Sequence, residues 1–200
     1  CMVPRPSAFG LLLTACCAGV FALAHANAPQ APPPGVQGDA KIAALIAEMT
    51  LAEKLSLLHG DRDPENVGQA GYVPGIQRLG IPPMRLSDGP AGVRTGKPAT
   101  ALPAPVALAA TFSPTLAVEY GRIIARDGAA LRQDIILAPM VNIVRVPQGG
   151  RNFETLGEDP YLAAQLVASE ISGIQGEGLI ATVKHFALNA HETNKFWLNA

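Results

Sequence analysis

A repeating order governs residues 84–185: a short apolar run leads into a polar or glycine-rich cluster, and a helical pattern follows. Met84-Arg85-Leu86 runs into Ser87-Asp88-Gly89-Pro90, Ile135-Ile136-Leu137-Ala138 into Pro139-Met140-Val141-Asn142, and Leu179 to Val183 into Lys184-His185-Phe186. Two helices are predicted between these runs. Ser113-Pro114, a cap followed by a proline in the first turn, opens one that extends through Leu131. Asp159-Pro160 opens the other, with Leu162, Leu166, Val167, Ile171 and Ile174 on one side. Strands that alternate with helices point to a parallel sheet, because parallel neighbours need long crossover connections and a helix is the usual one. The pattern alone fits both an open doubly wound sheet and a closed (β/α)8 barrel. Three strands that each deliver ionisable residues at or beyond their C-terminal ends favour the barrel, since barrel enzymes gather their sites there. The expected fold class is therefore α/β, a partial (β/α)8 TIM barrel; a full barrel takes about 250 residues, and this chain supplies only its early strands and helices.

The chain ahead of this region has a different character. After Met2 come one positive charge, Arg5, an apolar run from Phe9 to Leu23, and Ala24-His25-Ala26, which fits a signal-peptidase site; residues 1–26 are read as a cleaved secretion signal and the protein as secreted or periplasmic. Leu13-Thr14-Ala15-Cys16 offers a rival, a bacterial lipobox with Cys16 as the lipid-bearing end, but Cys17 to Ala24 stays apolar where a lipoprotein turns polar. A membrane-anchoring helix needs roughly 20 apolar residues, and this run is shorter. The three cysteines, Cys1, Cys16 and Cys17, all fall in the leader, so the mature chain forms no disulfide and no thiolate metal site. Cys1 ahead of Met2 and the abrupt end at Ala200 read as marks of a fragment.

Residues 27–38 form a proline-rich tether, and residues 39–200 form the barrel portion. Ile42, Leu45, Ile46 and Met49 recur at helical spacing, and Thr50-Leu51-Ala52-Glu53 is a capping box that starts a second short helix carrying Leu55 and Leu58 and ending at Gly60. Residues 61–83 read as loop. A net charge of −1 gives no electrostatic case for nucleic acid or an anionic membrane as partner.

Three clusters carry candidate chemistry. Asp88, in Asp-Gly-Pro, is either a turn carboxylate capping its own backbone or an acceptor for the vicinal hydroxyls of a sugar. In Gly149-Gly-Arg-Asn-Phe-Glu-Thr-Leu-Gly-Glu-Asp-Pro160, Glu158 and Asp159 are first-turn helix acids. Arg151, after two glycines on a loop, is placed to offer its fork of donors to a ligand instead of serving only as an ion-pair partner of Glu154. Lys184-His185 directly follows an apolar strand, whose alternation sends the two side chains to opposite sides; a buried ammonium requires a carboxylate, a ligand or water. His191-Glu192-Thr193-Asn194-Lys195 starts like a zinc-protease motif but has Lys195 where the second His belongs, and the glycines of 173–178 run in the reverse order to a dinucleotide fingerprint. No metal or cofactor is expected.

Five stretches together resemble glycoside hydrolase family 3, the β-glucosidases and their β-xylosidase relatives: Met49-Thr-Leu-Ala-Glu-Lys54, Leu86-Ser-Asp-Gly-Pro-Ala-Gly-Val-Arg94, Leu137-Ala-Pro-Met-Val-Asn-Ile143, Gly150 to Pro160, and Val183-Lys-His-Phe-Ala-Leu-Asn189. They span residues 40–195 in family order. The resemblance implies a (β/α)8 barrel in which Asp88, Arg151, Lys184 and His185 line the subsite that grips the non-reducing sugar. It also implies a retaining mechanism, with one carboxylate attacking the anomeric carbon and another protonating the leaving oxygen. The family's nucleophile segment, Ser-Asp-Trp-like, and its acid do not occur here, so no catalytic residue is assigned. The implied substrate is a small β-glucoside or oligosaccharide; a β-xyloside specificity and a non-catalytic sugar-binding fragment are the alternatives. The continuation after Lys184-His185-Phe186 looks like the glucosidase group, not the relatives that cleave N-acetylglucosamine.

Overall fold

The computed structural model describes residues 40–187 and 189–197. The leader expected at 1–26 and the tether at 27–38 lie outside the described residues. Helix α1 spans Ala40–Glu48 and α2 spans Leu51–Ser56. The capping box at α2 forms as the sequence predicts: the Glu53 N–H donates to Thr50 Oγ1 at 3.3 Å and the Thr50 N–H donates to Glu53 Oε2 at 2.8 Å. The helix stops at Ser56, with Leu57 as its C-cap, so Leu58 and Gly60 lie beyond it. The segment expected to be all loop contains a strand, β1 (Gly71–Val73), and a 3₁₀ turn over Gln77–Leu79. Glycine and proline flank these pieces closely enough to hide a three-residue strand from any periodicity.

Strand β1 pairs antiparallel with β2 (Met84–Asp88), which pairs parallel with β3 (Ile135–Leu137), which pairs parallel with β4 (Ile180–Ala181). The register places Asp88 beside Leu137 and Ile135 beside Ile180, so the C-terminal ends of β2, β3 and β4 share one edge. The crossovers are helical: a short α3 (Pro105–Ala109) and a long α4 (Pro114–Ala130) connect β2 to β3, and α5 (Pro160–Gly176) connects β3 to β4. Ser113 caps α4 through Leu116 N–H, and Asp159 caps α5 by accepting from Tyr161 and Leu162 N–H, one position earlier than a first-turn acid. Strand β4 is shorter than the apolar run suggested. Beyond it the chain follows β3 through separate bonds, with Thr182 N–H donating to Ile136 O and Lys184 N–H to Pro139 O.

Apolar residues from the sheet and both long helices meet in one core, including Ile124, Ile136, Leu156, Leu166 and Ile174. Helices α4 and α5 cross at two glycines. A Cβ on Gly121 would lie 2.3 Å from the Glu170 carbonyl oxygen, and one on Gly173 would lie 2.1 Å from that of Val118, so only glycine permits this approach. The buried stripe of α5 is Ala163, Leu166, Glu170, Gly173 and Ile174, which puts a carboxyl in the middle of an apolar contact. The Glu170 side chain has both oxygens buried without a hydrogen-bond partner, and burial pushes its carboxyl up to about 8.

Candidate functional site

Asp88 ends β2 and receives two cations. Lys184 Nζ donates to its Oδ1 at 2.8 Å, and Arg94 Nη2 donates to its Oδ2 at 2.7 Å. Arg94 reaches it because the chain turns back after Gly92, and the Arg94 N–H bonds the Asp88 carbonyl at 3.0 Å. That turn depends on Gly92: φ is +113° and a Cβ there would sit 2.4 Å from Thr100 O. Burial pushes the Asp88 carboxyl up, but the hydrogen bonds from Lys184 and Arg94 outweigh it and hold the group below the ordinary range. Asp88 is thus ionised at neutral pH, and the ammonium of Lys184, only 12% exposed, has the carboxylate its burial demands.

His185 is held by Asn142, which belongs to one of the family-like stretches but carries no role legible in the sequence. The Asn142 amide is oriented by its neighbours: Nδ2 donates to His185 O at 3.2 Å, and Oδ1 accepts from His185 N–H at 2.8 Å. The same Oδ1 lies 3.0 Å from His185 Nδ1, so the bonding assigns the ring proton to Nδ1. Burial, then the positive charges of Arg151 and Lys184, hold the imidazole below its ordinary pKa and therefore neutral. In that tautomer Nε2 is an acceptor. Because β4 ends at Ala181, strand alternation does not govern residues 184 and 185. Lys184 turns to Asp88, while His185 rests on Asn142.

Arg151, expected to offer its fork to a ligand, makes the ion pair with Glu154 through one edge of that fork. Its Nε and Nη2 donate to the two oxygens of Glu154, each at 3.0 Å, and Nη1 lies 3.7 Å from Glu192 Oε1. The bond to Glu154 pushes the guanidinium further up, and one planar edge of its fork is fully engaged. Three of its five N–H groups remain for other partners. Glu192, from the motif that lacked a second His, also pairs with Lys195. Among the described residues no group of three or more His, Cys, Asp or Glu side chains is arranged to hold a metal ion.

An open cavity of about 290 Å³ lies against Asp88, with Gly89 to Arg94 on one wall, Lys97 and Ala99 to Ala101 on another, and Phe153 and Glu154 at a third. Of the four residues singled out from the sequence, only Asp88 lines this cavity, with Arg94, Lys97 and Glu154 as the other charged lining groups; Lys184 and Arg151 connect to it through their bonds to Asp88 and Glu154, and His185 does not line it. Arg94 was legible only as part of a motif, since its role depends on a turn that folds six residues back onto Asp88.

Residues 67–195 match the family described as Glycosyl hydrolase family 3 N terminal domain. Beta-glucosidase BoGH3A of Bacteroides ovatus is 46% identical over 132 residues, covering 60% of this chain and 18% of the relative. The beta-glucosidase of Kluyveromyces marxianus is 40% identical over 161 residues, covering 78% and 18%. Among solved structures, DesR, a beta-glucosidase from Streptomyces venezuelae in complex with D-glucose, superposes with a TM-score of 0.75 at 52% identity, covering 80% of this chain and 20% of that one. Beta-glucosidase 3B from Thermotoga neapolitana in complex with glucose gives 0.69 at 34% identity, covering 77% and 24%. The chain thus spans about a fifth of the length of the proteins it matches.

Proposed function

Because this chain belongs to glycosyl hydrolase family 3 and its fold is the family's TIM-barrel architecture in part, we propose that it serves in hydrolysis of terminal non-reducing β-D-glucosyl residues, supplying the subsite that grips the sugar. The observation that carries this reading is the Asp88 carboxylate, ionised and aimed into a cavity by Lys184 and Arg94 at the C-terminal edge of parallel strands. A fixed carboxylate accepts from two vicinal hydroxyls at once, and the cations beside it keep it charged without filling the cavity. Lys184 and the free edge of Arg151 donate to sugar oxygens. His185 accepts a hydroxyl through Nε2.

In this reading the sugar is held for chemistry done by other groups. Asp88 and Glu154 are each engaged by cations and serve neither as nucleophile nor as acid. A retaining reaction needs two carboxyl groups about 5–5.5 Å apart across the scissile bond; we assign both to parts of the protein outside this chain, which spans only a fifth of its relatives. Binding here lowers the barrier by holding the anomeric carbon near the attacking oxygen, an entropic contribution. We further propose export directed by residues 1–26, checked by N-terminal sequencing of the secreted protein.

The test is hydrolysis of 4-nitrophenyl β-D-glucoside by the full-length protein, run beside the β-xyloside and the N-acetyl-β-glucosaminide. Release from the glucoside supports the reading. Release from the xyloside alone replaces it with the xylosidase alternative, and no release from any of them overturns it.

A further inference from the structure

Two of the three chain segments that line the Asp88 cavity are bonded by side chains of helix α4. Tyr120 is 6% exposed and lies on the buried side of that helix. Its hydroxyl sits 2.9 Å from Pro90 O, in the turn that follows Asp88, and 2.7 Å from Pro103 O, just past the opposite wall. A phenol has one hydrogen, so the two carbonyls share it in a three-centre bond or receive it in turn. Two turns of helix further on, Asp127 Oδ2 accepts the Thr100 N–H at 2.7 Å, tying down the second wall again. The walls themselves are stitched together by Leu102 N–H donating to Ala91 O at 3.3 Å.

We propose that Tyr120 is a positioning residue for the sugar subsite: its hydroxyl ties to α4 both the lining segment that holds Pro90 and, through Pro103, the chain just beyond the lining residues Ala99 to Ala101, and so sets the opening into which the sugar fits. This rests on the function proposed above. The geometry that distinguishes a positioning role from a packing role is the identity of the acceptors. A phenol that served only the core would satisfy itself on any nearby carbonyl, whereas one of these acceptors, Pro90, lines the cavity and the other, Pro103, lies two residues beyond the lining residue Ala101. Burial and the nearby Glu170 carboxyl both push the Tyr120 phenol upward, so it remains a donor across the working range. Phenylalanine fills the same aromatic volume in the core and removes only the tie.

The experiment measures D-glucose affinity and the kinetics of 4-nitrophenyl β-D-glucoside hydrolysis for the full-length protein and its Tyr120→Phe variant, below both unfolding midpoints. Loss of one buried hydrogen bond that shapes the site should raise Kd and KM by ~5-fold or more with kcat within about twofold, the split expected when uniform binding is lost. A role in stability alone lowers the unfolding midpoint and leaves Kd within twofold of the parent, which overturns the inference. Asp127→Ala cuts the second tie while leaving the phenol in place, and should raise Kd in the same direction by ~2-fold or more. If it does not, the backing role of α4 falls even where Tyr120→Phe proves too unstable to assay. Failure of the unsubstituted protein to bind glucose overturns the functional reading and this inference together; glucose binding that neither variant disturbs overturns the inference alone.

Discussion

Strand β2 carries an ion-pair network at each end, and the two networks differ in one respect. At its start, Arg85 reaches Asp63 Oδ2 at 2.6 Å and Glu65 at 3.1 Å, Glu65 continues to Arg132, and the Arg85 guanidinium lies 5.9 Å from the centre of the Tyr72 ring. The Arg85 and Asp63 side chains are 12% and 0% exposed, and the network pins the segment before β1 to the sheet. At the end of the strand, Asp88 is 26% exposed and its partner Arg94 is 72% exposed. The Arg85–Asp63 pair at the heart of the first network is buried, while Glu65 and Arg132 at its outer side are 50% and 56% exposed. The second is left open to a cavity. Within one strand a buried clasp at Arg85 and a cavity-lining carboxylate at Asp88 thus lie three positions apart, and both ends are charged.

The comparison can be broken or sharpened at four places. The largest effect belongs to a carboxyl with no hydrogen-bond partner. Glu170 has a folded-state pKa raised to about 8 from 4.5. A raised acid is protonated in the folded protein while the unfolded chain has already ionised, so stability is greatest below about 4.5 and falls as pH rises to about 8. The loss across that window is on the order of 5 kcal/mol. Glu170→Gln should flatten the slope, read as urea midpoints at pH 5 and pH 8.5. Parallel curves for the two proteins would show that the buried carboxyl does not govern alkaline stability.

At the open end, Asp88→Asn in the full-length protein should lower kcat/KM for an aryl β-glucoside by about 10²-fold or more, as a charged contact to the transition state is lost, and should also lower the unfolding midpoint because the buried Lys184 ammonium loses its anion. Activity within twofold of the parent sinks the assignment of Asp88 to the subsite. At the other end stability alone should change. Asp63→Asn should lower the unfolding midpoint by several degrees and leave glucose affinity unaltered in the protein that remains folded; a weakened affinity would mean that the two ends of β2 are coupled. The smallest effect is at Arg94. Arg94→Gln removes one of two donors to Asp88, so the Asp88 carboxyl, followed by NMR titration, should move upward. A depressed carboxyl contributes stability above its unfolded pKa that is lost as pH falls through the folded value, and the variant should lose it at higher pH than the parent.

The sequence by itself determined the repeating strand and helix order, the parallel sheet, and the residues that end its strands. Periodicity of 3.6, caps such as Ser113-Pro114 and Asp159-Pro160, and apolar runs are local properties that one segment can express alone. It also singled out Asp88, Lys184, His185 and Arg151, because a charged or polar side chain that follows an apolar strand must find a partner, a ligand or water. Strand β1 escaped it, since three residues among glycines and prolines acquire strand geometry only by pairing with β2. The partners were decided by tertiary structure: Lys184 meets Asp88 across 96 positions, and Asn142 meets His185 across 43. So were the tautomer of His185, the engaged edge of Arg151, and the isolation of Glu170 between two helices. Each depends on which groups become neighbours when water is excluded, and proximity of that kind is not a property of any one segment.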